Sequence, residues 1–117
     1  MTVYDKTEEL LGSLFNSYFH GFPDFGKGQE PDTYVVYTAL HRPEHYVSGR
    51  KTADSYLLTL EVFTPSFSPE LYDEIEALFT EQGFLYQGGR EIEQEGEFPQ
   101  QSRYSMDFLV YMDTKDT

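Results

Sequence analysis

The chain has 117 residues, a length that suits one domain. Its 8 Lys and Arg residues against 21 Asp and Glu residues give a formal net charge of −13, which disfavours binding to nucleic-acid phosphates or to an anionic membrane surface. The absence of cysteine excludes disulfides, thiol catalysis and cysteine-ligated metals. Since neither a signal peptide nor a run of transmembrane length is evident, we expect a soluble protein made in the cytoplasm.

A first helix is predicted to begin near Asp5, with Glu8 completing a capping box. Gly21 and Pro23 are expected to end it. Its apolar stripe covers close to half of the helix surface, which is wider than one sheet face needs. We therefore expect the excess width to be buried by another subunit or by the loop predicted over 20–32. The stripe comprises Leu10, Leu11, Leu14, Phe15, Tyr18 and Phe19.

Two strands are predicted next, over 34–41 and 54–64, because apolar and β-branched residues dominate both segments. The second strand has apolar residues on both faces, which is typical of a central strand. The intervening segment, Arg42 to Thr52, is predicted to be a polar connection, because it contains Pro43 and the Ser48-Gly49 turn signal.

The pattern of a second helix is clearer. Ser68 is placed as the N-cap, Pro69 occupies the first turn, and Gly83 fits the left-handed position after the helix. A third strand is predicted over 84–93 with a bulge or hairpin feature at Gly88-Gly89. A polar loop over 95–101 and a last strand over 102–112 follow, and 113–117 are expected to fray.

The predicted order is α-β-β-α-β-β, in a single α+β domain over 1–117. The simplest architecture for this order is a four-stranded antiparallel sheet with two main helices packed on one face.

Catalytic and metal-binding motifs are weak in this sequence. The segment from His41 to His45 spells His-x-x-Glu-His, but Pro43 breaks the helix that this zinc motif requires. The acidic run from Glu91 to Gly96 imitates a calcium loop, but its twelfth position is Ser102, which cannot act as a bidentate ligand. Glu61 and Asp107 lie in strands and are expected to face solvent or an interface. We therefore predict no catalytic, cofactor-binding or metal-binding residues, and no enzyme activity.

Tyrosine and phenylalanine are abundant, with 10 of each. Tyrosine is common in interfaces because its large ring contributes contact area at little entropic cost. Packing within strands and the core explains many of these rings equally well. An interaction protein accounts for this composition better than an enzyme does.

The element order and texture resemble a family of bacteriophage proteins. The opening helix is followed by "DTYVVYTAL", a polar turn, "DSYLLTLEVFT", "SPELYDEIEALFTEQGF", an acidic hairpin and "RYSMDFLVYM". From about Leu10 to Met112 this arrangement is similar to the tail terminator, or tail completion and head–tail joining, proteins of long-tailed phages and prophages. The resemblance is one of order, length and hydrophobic texture, and it involves no catalytic motif.

The resemblance implies a virion protein of the tail, present in the host cytoplasm during assembly. Such proteins form a ring, typically a hexamer, that stops growth of the tail-tube protein and joins the head–tail connector. DNA passes through the ring without specific binding, and an acidic lumen would repel its phosphates.

A head-to-tail ring needs two different patches on each subunit. We expect them in the Arg42–Thr52 connection and the Arg90–Arg103 hairpin. The residues predicted at a subunit or partner interface are Arg42, His45, Tyr46, Arg50, Tyr72, Tyr86, Arg90 and Arg103.

Two other classes of function stay open at this point. An acidic protein-binding or DNA-mimic regulatory module of a bacterium would account for the charge, although its acids are spread along the chain. A small hydrolase or metal enzyme would depend on His41 or His45, and the sequence offers it no nucleophile–base pair.

Overall fold

The structure is a computed structural model that describes residues 2–23, 25, 31–47, 50–92 and 101–113, with side chains at 42–47, 50–54 and 113 outside that description. It is an α+β fold with one mixed five-stranded sheet, in the order β1-β2-β3-β5-β4. The elements are α1 (Val3–Gly12), β1 (Tyr18–His20), β2 (Tyr34–Val47), β3 (Arg50–Thr64), α2 (Pro69–Glu81), β4 (Leu85–Ile92) and β5 (Ser102–Asp113). The predicted four-stranded antiparallel sheet was therefore incomplete.

The first helix begins earlier and ends earlier than predicted. Thr2 is its N-cap, because the Thr2 hydroxyl accepts a hydrogen bond from the Asp5 amide and the Asp5 carboxylate accepts one from the Thr2 amide. At the other end the Ser13 hydroxyl donates to the Leu10 carbonyl at 2.7 Å. Gly12 and Ser13 are poor helix formers, so the helix ends there and not near Phe19.

The strand missing from the prediction is β1, which pairs in parallel with β2. Tyr18 and Phe19 were assigned to the helical stripe, but their aromatic rings suit a strand, and they align with Val35 and Val36. The unusual width of that stripe thus came from merging a helix with a strand. It is no longer an argument for a second subunit.

The predicted polar connection from Arg42 to Thr52 is part of a long β-hairpin. The β2–β3 pairing continues from Tyr34 and Phe63 to Val47 and Arg50, with register shifts on both sides of His45. Pro43 is tolerated because it lies in the first of these irregularities, between the paired residues Arg42 and His45.

The structure confirms the predicted second helix. Pro69 lies in the first turn after Ser68, although the Ser68 side chain makes no capping hydrogen bond. Gly83 has φ +91°, the left-handed conformation expected after a helix end.

The Gly88-Gly89 pair confirms the predicted bulge, since the register between β4 and β5 shifts between Tyr86 and Gly88. The β4 strand continues through this point to Ile92. Gly88 has φ +129°, a backbone conformation that residues other than glycine rarely adopt.

The hydrophobic core lies on one face of the sheet. Both helices contribute to it, α1 through Leu10 and Leu11 and α2 through Ile75 and Phe79. The strands contribute alternate residues, among them Val35, Tyr37, Leu58, Leu60, Val62, Met106, Phe108 and Val110. Among the described residues, neither helix is long and apolar enough to cross a membrane.

Candidate interface surfaces

The eight predicted interface residues divide among three parts of the fold. Arg42, His45, Tyr46 and Arg50 belong to the distal part of the β2–β3 hairpin, and their side chains lie outside the described residues. Among the described residues, β3 pairs with β5 only from Ala53 onward. We call residues 45–47 and 50–52 the hairpin arm.

Tyr72 lies in the core. Its ring is only 4% exposed and stacks on Tyr104 with 4.1 Å between ring centroids and 7° between ring planes. Its hydroxyl lies 3.4 Å from the Thr64 hydroxyl and 3.5 Å from the Ser102 hydroxyl, so the polar end has buried partners. Within the monomer Tyr72 is therefore a packing residue, and a partner has no access to its ring.

Tyr86 also lies on the core side of the sheet, opposite Phe108 in the β4–β5 register. Burial, and then a hydrogen bond with Tyr104, raise the pKa of Tyr86 to about 12. Both tyrosine hydroxyls approach Gly89 so closely that a Cβ at that position would lie 2.5 Å from one and 2.6 Å from the other. Gly89, Tyr86 and Tyr104 therefore pack closely together beside the bulge, on the core side of the sheet.

Arg90 and Arg103 lie on the opposite face, away from the helices. We call this the open face. Arg90 aligns with Ser105, and Ser105 aligns with Glu61 on the other side of β5. The open face also carries Tyr34, Val36, Thr38 and Leu40 on β2; Leu57, Thr59 and Phe63 on β3; Asp107, Leu109 and Tyr111 on β5; and Leu85 and Ile92 on β4.

Arg103 is held within the chain. Its Nη2 donates to Glu61 Oε2 at 2.7 Å, and its guanidinium lies 5.5 Å from the centroid of the Phe63 ring. Its Nε is buried and has no hydrogen-bond partner. Beside this pair, the Thr59 hydroxyl donates to Asp107 Oδ1 at 2.7 Å. The centre of the open face is thus a polar band with paired charges.

An aromatic cluster occupies one end of the open face. Tyr34 stacks on Phe63 at 4.6 Å, and Phe19 and Phe25 meet Tyr34 edge-on at 6.2 and 5.4 Å. Phe19 belongs to this cluster because β1 brings it beside Val36 on the open face.

The other end of the open face carries a row of leucines that the sequence did not single out. Leu40 aligns with Leu57, Leu57 with Leu109, and Leu109 with Leu85, so one leucine from each of four adjacent strands lies in register. We call these four residues the leucine row. Leu40 is 62% exposed and Leu85 is 49% exposed.

The segment that spells the zinc motif is not helical. His41 to His45 lie in β2, an extended strand, so the two histidines do not form the helical pair that the motif requires. Among the residues that the structure describes, no cluster of three or more His, Asp or Glu could hold a metal ion. The calcium-like run begins in β4, and its later positions, 93–96, lie outside the described residues.

The structure thus brings Arg90 and Arg103 to one surface and Tyr72 and Tyr86 to the other side of the sheet. Alternation along each strand implies that Leu57 and Leu109 share faces with polar residues, but it does not reveal that they align with Leu40 and Leu85. Strand register across the sheet was the missing information.

The chain matches no family model and no curated protein.

Proposed function

We propose that the chain is a structural protein of a phage or prophage tail, acting as a tail terminator. In this role it forms a ring, a hexamer in the simplest case, at the head-proximal end of the tail tube. The ring stops addition of the tube protein, binds the head–tail connector and lets DNA pass. The proposal rests on the resemblance in element order and on one feature of the fold, the hairpin arm.

Within the described part of the chain, the β2–β3 pairing continues beyond the end of the β3–β5 ladder. At Val47 and Arg50 the described strands form a two-stranded ribbon, whereas β5 also pairs with β3 from Ala53 onward. A two-stranded ribbon is marginally stable in water, so the arm gains stability when a neighbouring subunit covers it. The arm includes Arg50 and Lys51 and no acidic residue, in a chain of net charge −13. These positive charges suit contact with the acidic surface of a neighbouring copy.

A ring also needs a second, different patch on each subunit. The outer edge of β4 has no partner strand within the described part of the chain. It carries Arg90 and Glu91 and the bulge at Gly88, which limit indiscriminate pairing along that edge. The arm and the β4 edge lie on different strands, as a head-to-tail contact requires.

The proposal is tested by assembling tail tubes from the tube protein of the same phage, with and without this chain. We expect tubes of limited length, each with a ring at one end under the electron microscope. A matched variant replaces residues 44–51 with an Asn-Gly turn, which shortens the arm and leaves the β3–β5 ladder intact. This variant should remain folded and fail to cap tubes.

Two results would contradict the proposal. Tubes of unchanged length, with the chain unbound, would exclude the terminator function. Displacement of DNA from a basic bacterial protein by the same chain would favour the acidic binding module. That outcome would be explained by the exposed acids of α2: Glu70, Asp73, Glu74 and Glu81.

A further inference from the structure

We propose that the open face pairs with the same face of a second copy of this chain, in a two-fold dimer in which the leucine rows of the two copies meet. The proposal does not depend on the tail-terminator function. It rests on the leucine register, on the charge balance of the face and on the distribution of exposed apolar side chains.

The leucine row is a continuous apolar stripe, because its members are direct cross-strand neighbours. Leu40, Leu57, Leu109 and Leu85 cross β2, β3, β5 and β4 in that order. Tyr111, which is 49% exposed, lies two residues beyond Leu109 on the same face. A stripe of this kind gains free energy when it is removed from water, at about 25 cal/mol per Å² of apolar surface.

The charges of the open face favour a second copy as the occupant. Its described side chains that are charged at pH 7 are two acids, Glu61 and Asp107, and two bases, Arg90 and Arg103, so their formal sum is zero. The whole chain carries −13, and two copies that meet through acidic surfaces repel one another. The open face therefore allows two copies to meet without adding to that repulsion.

Two-fold pairing is favoured over a head-to-tail contact. Among the described residues, large exposed apolar side chains away from the open face are limited to Phe22 and Phe67. These two residues belong to separate segments, one after β1 and one before α2, and they do not form a stripe. The leucine row consequently finds its best match in the leucine row of another copy.

The size of the face sets the strength of the contact. From Tyr34 to Leu40 the face is about 20 Å long, and four strands are about 15–20 Å wide. Two such faces together bury at most roughly 600–800 Å², which is below the ~1,200–2,000 Å² of stable interfaces. We therefore expect reversible dimers that form at micromolar or higher concentrations.

The first test measures the mass of the purified full chain by sedimentation velocity from about 1 μM to 1 mM, concentrations at which weak, transient interfaces associate. The expected result is a monomer–dimer equilibrium. Replacing both Leu40 and Leu85 with Gln should raise the dissociation constant at least ~10-fold. These side chains are already exposed, so the variant should keep the melting temperature of the wild type. Phe22→Gln, which removes an exposed ring outside the leucine row, is the matched control and should dimerise normally.

The second test locates the contact with spin labels. Because the chain contains no native cysteine, an introduced cysteine is the single site of labelling. Spin labels on Thr38→Cys, on the open face, should show a short inter-copy distance, whereas labels on Glu74→Cys, on α2, should lie far apart. A chain that stays monomeric throughout the range, or a dimer unaffected by the leucine substitutions, would overturn the proposal. A six-subunit species that persists in the leucine variant would also overturn it, yet would leave the tail-terminator function intact.

Discussion

Gly89 lies directly beneath the Tyr104 side chain, so that a Cβ at position 89 would be 2.6 Å from the Tyr104 hydroxyl oxygen and 2.7 Å from a carbon of its ring. The Tyr104 ring also stacks on Tyr72, with 4.1 Å between the ring centroids, and this packing restricts its movement. The absence of a side chain at Gly89 is therefore a packing requirement of the β4–β5 pair.

Replacing Gly89 with Ala should lower the free energy of unfolding by about 1–3 kcal/mol, the usual cost of overpacking. Urea unfolding followed by circular dichroism measures this change. Gln87→Ala, on the same strand and exposed, is the control and should change stability by less than about 0.5 kcal/mol. Equal stability of the two variants would show that Tyr104 moves freely.

Local patterns predicted those elements that are decided by neighbouring residues. Pro69 and Gly83 bound the second helix as expected, because proline and glycine restrict or permit backbone conformations on their own. The same reasoning failed at Tyr18 and Phe19, whose strand conformation depends on pairing with β2, more than ten residues away in sequence. The leucine row depends on three registers together, and no local pattern contains that information.

Tyr72 was predicted as an interface residue, and its burial leads to a different expectation. Tyr72→Ala should destabilise the monomer by about 3–5 kcal/mol, because it leaves a cavity beside Tyr104. Tyr72→Phe keeps the ring and removes only the hydroxyl, whose neighbours lie at 3.4 and 3.5 Å; it should cost less than about 1.5 kcal/mol. Thermal or denaturant unfolding at low protein concentration separates this packing effect from any loss of assembly.

The hydroxyl of Tyr37 donates a hydrogen bond to Glu8 and so ties α1 to β2. Tyr37 is buried, and burial followed by this hydrogen bond raises the pKa of Tyr37 above its ordinary value. Tyr37→Phe should cost about 0.5–1.5 kcal/mol, since the exposed Glu8 carboxylate regains water as a partner. Glu8→Gln should cost less than the phenylalanine variant, because a neutral amide still accepts the hydrogen bond. Hydrogen exchange of the α1 amides would show whether the loss is confined to that helix.

Alkaline pH should weaken the fold through Tyr86. Its folded pKa of about 12 exceeds the ordinary value of 10.0, so the fold favours the neutral phenol. The corresponding stability is fully present below pH 10 and is lost as pH rises toward 12. In Tyr86→Phe the free energy of unfolding should decline less steeply over this window. Identical slopes for the variant and the wild type would contradict the assigned burial of the hydroxyl.

The Arg103–Glu61 pair predicts a measurable coupling on the open face. Both side chains are about one-third exposed, at 32% and 28%, so solvent screens the pair and its coupling energy should be about 0.5–1 kcal/mol. A double-mutant cycle with Arg103→Met and Glu61→Gln measures it, and about 1 M salt should reduce it. Arg103→Lys should recover only part of the coupling, because a lysine cannot reproduce both the contact with Glu61 and the stacking of the guanidinium on Phe63. If lysine restored the full coupling, the pair would be acting as simple point charges, and the Phe63 contact would contribute nothing to it.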